Sequence, residues 1–446
     1  MSLPRVCVLE LNELNFEMVQ AYASNGLLPN FATFFARHGF SETTSENEYC
    51  DLEPWIQWVT VHTGMTLAEH RVFRLGDIVN TDIEQVWGRL ADHGVSVGAV
   101  SPMNAKCCDH KWDFFIPDPW TTTNVIANNT VKRMYYAISQ MVNDNAQKRM
   151  SLTSLLNLAI GAFITAFPGN YHLYLKYMIL SYKKPWFRAI FLDLVLSDLY
   201  VYLSKAKLTT FSTLFLNAAA HIQHHYMFSS KLFKSSNINP NWYVPENVDP
   251  IFDVYLAYDR IIGNIIRTFP DSRIILVTGL HQEPHPEITY YWRLKDHANF
   301  LRDSGIEFER VEPRMSRDFV IYFKDAESAR HAAGLISSAI TDSGCAVFEV
   351  DNRGVDLFVT LIYSDDMSLV QHVNINQRVM KNIKQDVAFV AIKNGRHNGI
   401  GYYSDSGYKK GILPHKIELK NLMSRFLEIF AINEKKIDDN LIFTDS

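Results

Sequence analysis

The chain has 446 residues, enough for two or three structural units, and its 47% hydrophobic and 20% charged residues are typical of a globular protein. A formal net charge of −5 excludes the basic balance that nucleic-acid binding requires, so we expect no nucleic-acid partner. Five irregularly spaced cysteines argue against a disulfide framework, the N-terminus lacks the pattern of a signal peptide, and both features predict a cytoplasmic protein.

Buried strands alternate with helices along much of the chain. Residues 5–11 (RVCVLEL) form a short apolar run typical of a buried strand, and helices are predicted over 16–24 and from Pro29 to Gly39. Similar apolar runs predict further strands at 95–100, 273–277 and 388–392. This alternation favours the α/β class, with a mostly parallel central sheet and helices on both faces.

Two segments interrupt the alternation. Residues 129–234 are predicted as a helical cap insertion whose end contributes His221 and His224 to the core. Residues 308–362 follow a strand–helix–strand–strand pattern and are predicted as a small α+β subdomain inserted before the final sheet strand. The core is then predicted to consist of residues 1–128, 235–307 and 363–446.

The predicted helical cap is apolar and basic. Its most apolar part, 151–167 (SLTSLLNLAIGAFITAF), is slightly short for a membrane span and contains Asn157, which predicts a buried or interfacial helix. Its only acids are Asp144, Asp193 and Asp198, and its cationic residues include Lys132, Arg133, Lys148, Arg149, Lys176, Lys183, Lys184, Arg188, Lys205 and Lys207. Two interpretations stay open. The cap is either an ordinary solvated surface, or it contacts a phosphorylated or membrane-anchored substrate at the inner face of the membrane.

Polar residues follow several predicted strands, where parallel sheets collect their ligands. Glu10, Asn12 and Glu13 follow the first strand, while His281 and His397 follow two later ones. In the helical segment HIQHHYMF, His221 and His224 are three residues apart and share one helix face. Imidazole together with carboxylate suits Zn²⁺ or Mn²⁺. We therefore expect one divalent ion, with a metal-free site as the alternative.

Five segments occur in an order that resembles the alkaline-phosphatase superfamily, especially its type I phosphodiesterase/nucleotide pyrophosphatase branch. They are LLPNFATFFARHG, WIQWVTVHTGMTLAEHRVF, HIQHHY, VTGLHQ and GRHNGIGYYSDSG. The resemblance implies an alkaline-phosphatase-like fold in which Asn12 stands at the place of a metal-binding aspartate. It also implies that His224, His281 and His397 are metal ligands.

The resemblance also implies a two-metal site with three aspartates, and this chain departs from that pattern. The aspartate positions correspond to Asn12, a residue near Ala220, and Leu280. An amide or an alkyl chain does not supply the charge of a carboxylate, so at most one ion is expected. The predicted ligands are Asn12, His221, His224, His281 and His397.

The nucleophile of the family falls at about Pro54, which cannot attack phosphorus. Glu53, Asp51 and Cys50 are the neighbouring alternatives, and Cys50 is not part of the sulfatase C-x-P-S-R signature. Glu53 could bind the metal, act as a general base or attack a sugar carbon. The predicted catalytic residues are Glu53, His281 and Glu10.

The first functional hypothesis is a metal-dependent hydrolase or transferase that acts on a phosphate ester, a phospho-sugar or a lipid-linked glycan. The segments ELNELN and EPWIQWVTVHTG resemble those of chains found together with bacterial surface-polysaccharide enzymes. The second hypothesis is a glycosyl- or group-transferase without a covalent phospho-enzyme, and the third is a non-catalytic, degenerate member. The substrate is expected to be an anionic small molecule or glycan. The oligomeric state stays open.

Overall fold

A computed structural model describes residues 3–143, 151–232, 237–314, 317–375 and 378–432. Four charged residues of the predicted cap, Asp144, Lys148, Arg149 and Lys234, lie outside the described residues. The strands of the described part are β1 Val6–Leu11, β2 Ser41–Thr44, β3 Val97–Val100, β4 Trp112–Ile116, β5 Phe211–Leu216, β6 Arg273–Val277, β7 His281–Leu294, β8 Arg310–Pro313, β9 Asp318–Tyr322, β10 Ile340–Thr341, β11 Phe348–Asn352, β12 Asp356–Leu361, β13 His372–Ile375, β14 Arg378–Lys381, β15 Val387–Asn398, β16 Ile400–Asp405 and β17 Lys416–Glu418.

Helices surround the strands. They are α1 Phe16–Ser24, α2 Pro29–His38, α3 Pro54–Thr63, α4 Leu67–His70, α5 Val86–Asp92, α6 Asn129–Asn143, α7 Leu152–Thr165, α8 Tyr171–Lys183, α9 Phe187–Lys207, α10 Ala218–Tyr226, α11 Pro250–Thr268, α12 His297–Asp303, α13 Ala326–Ser337, α14 Ile383–Asp386 and α15 Asn421–Glu428. No described helix combines the length and the apolarity needed to cross a bilayer.

The central sheet has eight strands in the order β17-β2-β16-β6-β1-β5-β3-β4. β1 runs parallel to both of its neighbours, β5 and β6, whereas β16 runs antiparallel to β6 and β2. Every residue of β1 is buried, as expected for an apolar run covered on both faces. Separate hydrophobic clusters cover the two faces, one with α1, α2, α9 and α11 and the other with α3, α5 and α15. The predicted α/β class with a mostly parallel sheet is confirmed.

The segment predicted as a helical cap contains α6 to α9, but it also contains a core strand. β5 lies beside β1 in the central sheet, and α10 follows it directly. The prediction of a wholly helical segment over 129–234 is therefore corrected. FSTLFL is a six-residue apolar run, and periodicity alone does not distinguish such a run from a buried helix segment.

The inserted α+β unit is larger than predicted. Its hydrophobic cluster extends from Trp292 to Val387, beyond both ends of 308–362. It contains a four-stranded sheet, β11-β12-β9-β8, and a three-stranded sheet, β10-β13-β14. The run at 388–392 does not form the predicted final strand of the central sheet. It belongs to β15, which pairs antiparallel with β7, and its residues are partly buried at 388–390 and buried at 391–392.

Candidate metal centre and catalytic site

Three side chains from separate elements meet beyond the carboxyl ends of the parallel strands. Glu13 lies in the turn after β1, His224 on α10 after β5, and His397 near the end of β15. Glu13 Oε2 lies 3.1 Å from Nε2 of His224 and 3.1 Å from Nε2 of His397. The two Nε2 atoms are 3.2 Å apart. The three potential ligand atoms therefore form a nearly equilateral triangle.

The backbone at Glu13 has an unusual conformation. Its φ of 56° is in the left-handed region, where a residue with a side chain carries strain and which is often found at functional sites. The Glu13 carbonyl accepts hydrogen bonds from Gln223 Nε2 at 2.6 Å and from the Gln282 backbone N–H at 3.3 Å. The surrounding structure thus holds the turn in place and points the carboxylate at the two imidazoles.

Amide side chains hold the Glu13 carboxylate itself. Asn12 Nδ2 donates to Oε1 at 3.2 Å, and Gln282 Nε2 donates to Oε2. Gln282 Nε2 also donates to the Ala220 carbonyl at 3.0 Å, which ties it to α10. Such partners fix the orientation of a metal ligand. Both oxygens of this buried carboxylate are therefore engaged by neutral donors.

The two imidazoles determine the charge state of Glu13. Burial alone would raise the pKa of the Glu13 carboxyl, but the adjacent His397 and His224 more than offset burial and hold this pKa well below its usual range. Burial likewise opposes the charged form of His397, yet the neighbouring Glu13 carboxylate raises the pKa of that imidazole. The site therefore favours an ionised Glu13 carboxylate and a positive charge, either a proton or a cation, shared with the two imidazoles.

The donor set fits a divalent ion. Two imidazole nitrogens and one carboxylate oxygen are ligands that Zn²⁺ and Mn²⁺ accept. Their separations of 3.1–3.2 Å are close to the edge of a ligand tetrahedron around zinc, about 3.3 Å for ligand distances of about 2.0–2.1 Å. Two Nε2 atoms that face each other also need a cation or a shared proton between them. The three atoms could hold a divalent ion as a three-ligand centre.

Glu53 lies next to this centre. It is the N-cap residue of α3, but its side chain makes no capping hydrogen bond, and the carboxylate has no hydrogen-bond partner among the described residues. Burial raises the pKa of the Glu53 carboxyl, and Glu13 raises it further, while His397, His224 and Lys393 lower it. A partly exposed carboxyl with a raised pKa and no partner is suited to accept and donate a proton.

The amine of Lys393 lies near Glu53. Burial lowers the pKa of the Lys393 amine, as do Arg317 and Arg396, while the nearby Glu53 raises it. Within the described ranges Lys393 has no hydrogen bond or ion pair, whereas Arg396 is paired with Glu283 at 2.5 Å. The Lys393 amine is thus an unpaired cation near Glu53, which itself lies next to the triad, and an anionic group could bind there.

Three predicted ligands lie outside the triad. The Oδ1 of Asn12 accepts from the Trp58 indole at 2.7 Å, so this oxygen is occupied and the residue supports Glu13 instead. His281 places Nδ1 2.6 Å from the Ile400 carbonyl, and its neighbour Gln282 is the residue that reaches Glu13. The His221 ring packs against that of His225 with centroids 4.8 Å apart.

Of the other residues considered for catalysis, Glu10, Cys50 and Asp51 lie outside the triad, whereas Glu53 lies near it. Glu10 is buried in the core, where Oε1 lies 2.9 Å from Nε2 of His62 and away from the triad. Cys50 and Asp51 form a short turn before α3 and contact each other at 3.8 Å. Of the three residues proposed in place of a hydroxyl nucleophile, Glu53 is the one whose pKa responds to the triad.

Sequence reasoning missed Glu13 and Lys393 as site residues. Glu13 follows the first strand directly, and that position was its only signal in the sequence. Lys393 is separated from His397 by three residues, and the bulge in β15 between Lys393 and Gly395 is not apparent from the sequence. His224 and His397, by contrast, were both predicted as ligands and are brought into contact.

No protein-family model and no curated protein matches the chain. Among solved structures, phosphonoacetate hydrolase from Sinorhizobium meliloti, bound to phosphonoacetate or phosphonoformate, is similar at a TM-score of 0.45 and 11% identity over 96% of both chains. Murine ectonucleotide pyrophosphatase/phosphodiesterase 5 bound to AMP is similar at a TM-score of 0.42, with the same identity and coverage. Both proteins are members of the alkaline-phosphatase superfamily, which the sequence resembles. At these scores the likeness is distant, and the chemistry of this chain depends on its own residues.

Proposed function

We propose that this chain is a metal-dependent enzyme that hydrolyses or transfers an anionic ester, with a phosphate ester as the expected class. The observation that supports this proposal is the triangle of Glu13, His224 and His397, whose ligand atoms lie 3.1–3.2 Å apart. A two-histidine, one-carboxylate set with an unpaired acid and an unpaired lysine beside it is typical of catalytic rather than structural metal sites.

Each group has a distinct role in the proposed reaction. When bound, a divalent ion would neutralise the charge of the ester group and polarise it. Lys393 binds the same anionic group by its charge, since no described residue competes for its amine. Glu53 takes a proton from the attacking hydroxyl or water, or gives one to the leaving oxygen, because its raised pKa lies nearer to neutrality than that of an ordinary carboxyl.

The finer form of the proposal concerns the substrate and the metal. Zn²⁺ and Mn²⁺ are the expected ions, because imidazole and carboxylate ligands suit both. A phospho-sugar or a lipid-linked glycan phosphate, as used in bacterial surface-polysaccharide metabolism, is the expected substrate. Support for it comes from the basic helices α6 to α9 and from the resemblance of the segments ELNELN and EPWIQWVTVHTG.

Metal content tests the proposal directly. We expect the purified chain to bind one Zn²⁺ or Mn²⁺, and the variants Glu13→Gln and His224→Ala to lose it. His281→Ala and His221→Ala are matched controls that remove a nearby imidazole outside the triad, so they should retain the ion. Activity on a panel of phosphate monoesters and diesters should fall with metal content. Equal metal binding by wild type and His224→Ala would refute the proposed centre.

A second candidate is a group transferase without a covalent phospho-enzyme. It is favoured by one observation: Glu53 followed by Pro54 begins α3, so no hydroxyl side chain stands at that helix N-terminus. A carboxylate that works as a base, not as a nucleophile, should be replaceable in part by aspartate. We expect Glu53→Gln to abolish turnover with metal still bound and Glu53→Asp to retain some activity. Trapping of a phosphorylated enzyme during turnover would rule this candidate out.

A further inference from the structure

Helices α7 and α8 each present an apolar row to solvent. On α7 the row includes Leu152, Leu156 and Phe163, and on α8 it includes Leu175, Ile179 and Tyr182. The spacings of three, four or seven residues place each row on one helix face. The Phe163 side chain is 66% exposed and that of Ile179 is 64% exposed. An exposed apolar surface of this extent marks an interaction site.

The two rows form one surface. The rings of Phe163 and Tyr171 lie 5.4 Å apart, and the Tyr171 hydroxyl donates to the Phe163 carbonyl at 3.2 Å. The opposite sides of both helices are buried, through Ala162 on α7 and Tyr177 on α8. The outward rows are therefore not the remnant of loosely packed helices. They are the free face of a packed layer.

The helices α6 to α9, which form this layer, carry exposed positive charge, and this charge favours a negatively charged partner. Among the described residues of α6 to α9, both acids, Asp193 and Asp198, are buried. Seven cations occur in these helices, and an eighth, Lys184, is the C-cap residue of α8; the seven are Lys132, Arg133, Lys176, Lys183, Arg188, Lys205 and Lys207. Lys184 is paired with Asp253 of α11, which leaves seven cations with no acid exposed on these helices. Lys183 lies one turn after Ile179 on α8, and apolar side chains beside lysine and arginine are typical of helices that lie on anionic membranes.

A cavity beside this face favours lipid over a protein partner. It has a volume of about 160 Å³ and lies between α6, α7, α8 and α9. Leu158, Met178 and Phe191 line it together with the exposed Arg188. An apolar space of this size with a guanidinium at its wall fits a segment of an acyl chain near a phosphate headgroup. α7, with 14 residues, is about 21 Å long, which suits a helix lying in the interface.

We propose that the joined apolar rows of α7 and α8 dock this protein onto the surface of a bilayer that contains anionic lipid. Docking would also orient the metal centre, because the layer is fixed to it through α9. Asp193 Oδ2 of α9 accepts hydrogen bonds from the Ala218 N–H, at the start of α10, and from the Tyr258 hydroxyl, both at 2.7 Å. α10 carries His224, so the docked layer and the triad are parts of one packed unit.

Vesicle co-sedimentation of the full chain tests this proposal. We expect wild type to bind vesicles of phosphatidylcholine mixed with phosphatidylglycerol, and to bind pure phosphatidylcholine far more weakly. Ile179→Glu should weaken binding at least about tenfold, because it removes an apolar side chain that docking would bury in the bilayer and adds a negative charge. Lys183→Gln should weaken it about fivefold. The matched controls Ile412→Glu and Lys324→Gln, at exposed positions elsewhere, should bind as wild type does.

Three results would overturn the proposal. One is the absence of binding to either vesicle, and another is binding of Ile179→Glu that equals wild type. The third is a dimer without vesicles that Ile179→Glu dissociates, since a second copy of the chain would then cover this face. Metal content is measured separately and does not depend on membrane binding. Failure of docking therefore leaves the proposed metal centre intact, and the reverse also holds.

Discussion

Gly395 is the position where a single methyl group should disturb the metal centre without touching a ligand. It lies on β15, and a Cβ added there would overlap Gln282 Oε1 and come within 3.0 Å of the Gln223 carbonyl oxygen. Both glutamines donate hydrogen bonds to Glu13. Gln282 donates to the Glu13 carboxylate, and Gln223 donates to the Glu13 backbone carbonyl. Gly395→Ala should therefore displace the Gln282 side chain from Glu13.

The size of the effect follows from the contact that is lost. A hydrogen bond to a charged group contributes about 1.5–3 kcal/mol, and loss of a residue that orients a metal ligand lowers metal affinity about 10- to 100-fold. These two ranges agree, because about 1.4 kcal/mol corresponds to a factor of ten. We expect Gly395→Ala to bind Zn²⁺ or Mn²⁺ about 10- to 100-fold more weakly in a chelator-competition titration. Gly334→Ala is the control, since a Cβ at Gly334 meets no atom within 4 Å.

A double-mutant cycle separates this mechanism from general damage to β15. Gln282→Ala alone should weaken metal binding by a similar factor, since it removes the same hydrogen bond. Adding Gly395→Ala to Gln282→Ala should then cost little more, because the overlapping atom is gone. Wild-type affinity for Gly395→Ala, or fully additive losses in the double variant, would refute the reasoning.

Two further predictions concern charge. Lys393→Met should raise KM for a phosphate ester about tenfold at unchanged metal content. Lys324→Met, at an exposed position, should leave KM unchanged. If Lys393→Met and wild type had equal KM values, Lys393 would not be part of the site. Burial raises the pKa of Asp198 to about 6, although Asn170 and Tyr174 donate hydrogen bonds to it. A raised carboxyl pKa stabilises the fold below about pH 4, and this contribution is lost as the pH rises through 6. Denaturant unfolding should therefore show wild type losing about 2 kcal/mol relative to Asp198→Asn between pH 4 and 7. If the difference in unfolding free energy between wild type and Asp198→Asn were the same at pH 4 and pH 7, the raised pKa of Asp198 would be contradicted.

The sequence was sufficient to predict the first elements of the fold. The apolar run at 5–11 becomes β1, and the helix predicted at 16–24 is α1, Phe16–Ser24. These succeed because burial on both faces and helical periodicity are local properties. β5 and the pairing of β15 with β7 were not predictable in this way, since the identity of the neighbouring strand depends on contacts between distant residues.

The site was predicted at the level of elements, and two predictions fall one residue away from the side chain that makes the contact. The carboxylate beside the two imidazoles belongs to Glu13 and not to Asn12, and the residue that reaches it from β7 is Gln282 and not His281. Glu53, at the start of α3, was predicted as such. In a strand, a shift of one residue moves a side chain to the opposite face. At the end of β1, the Asn12 side chain accepts a hydrogen bond from Trp58. The left-handed turn at Glu13 brings the next side chain, the Glu13 carboxylate, to the two imidazoles.

The chemistry of the site changes with these positions. One carboxylate and two imidazoles carry less negative charge than the three aspartates and histidines of the family pattern, so one dication is enough to neutralise them. In the proposed enzyme, Lys393 would supply to the anionic substrate the positive charge that a second dication would otherwise provide. Glu53 would supply a proton-transfer group where a hydroxyl is absent. A site with one ion, one lysine and one acid therefore balances the charge of a phosphate ester, and the loss of the aspartates does not require the loss of catalysis.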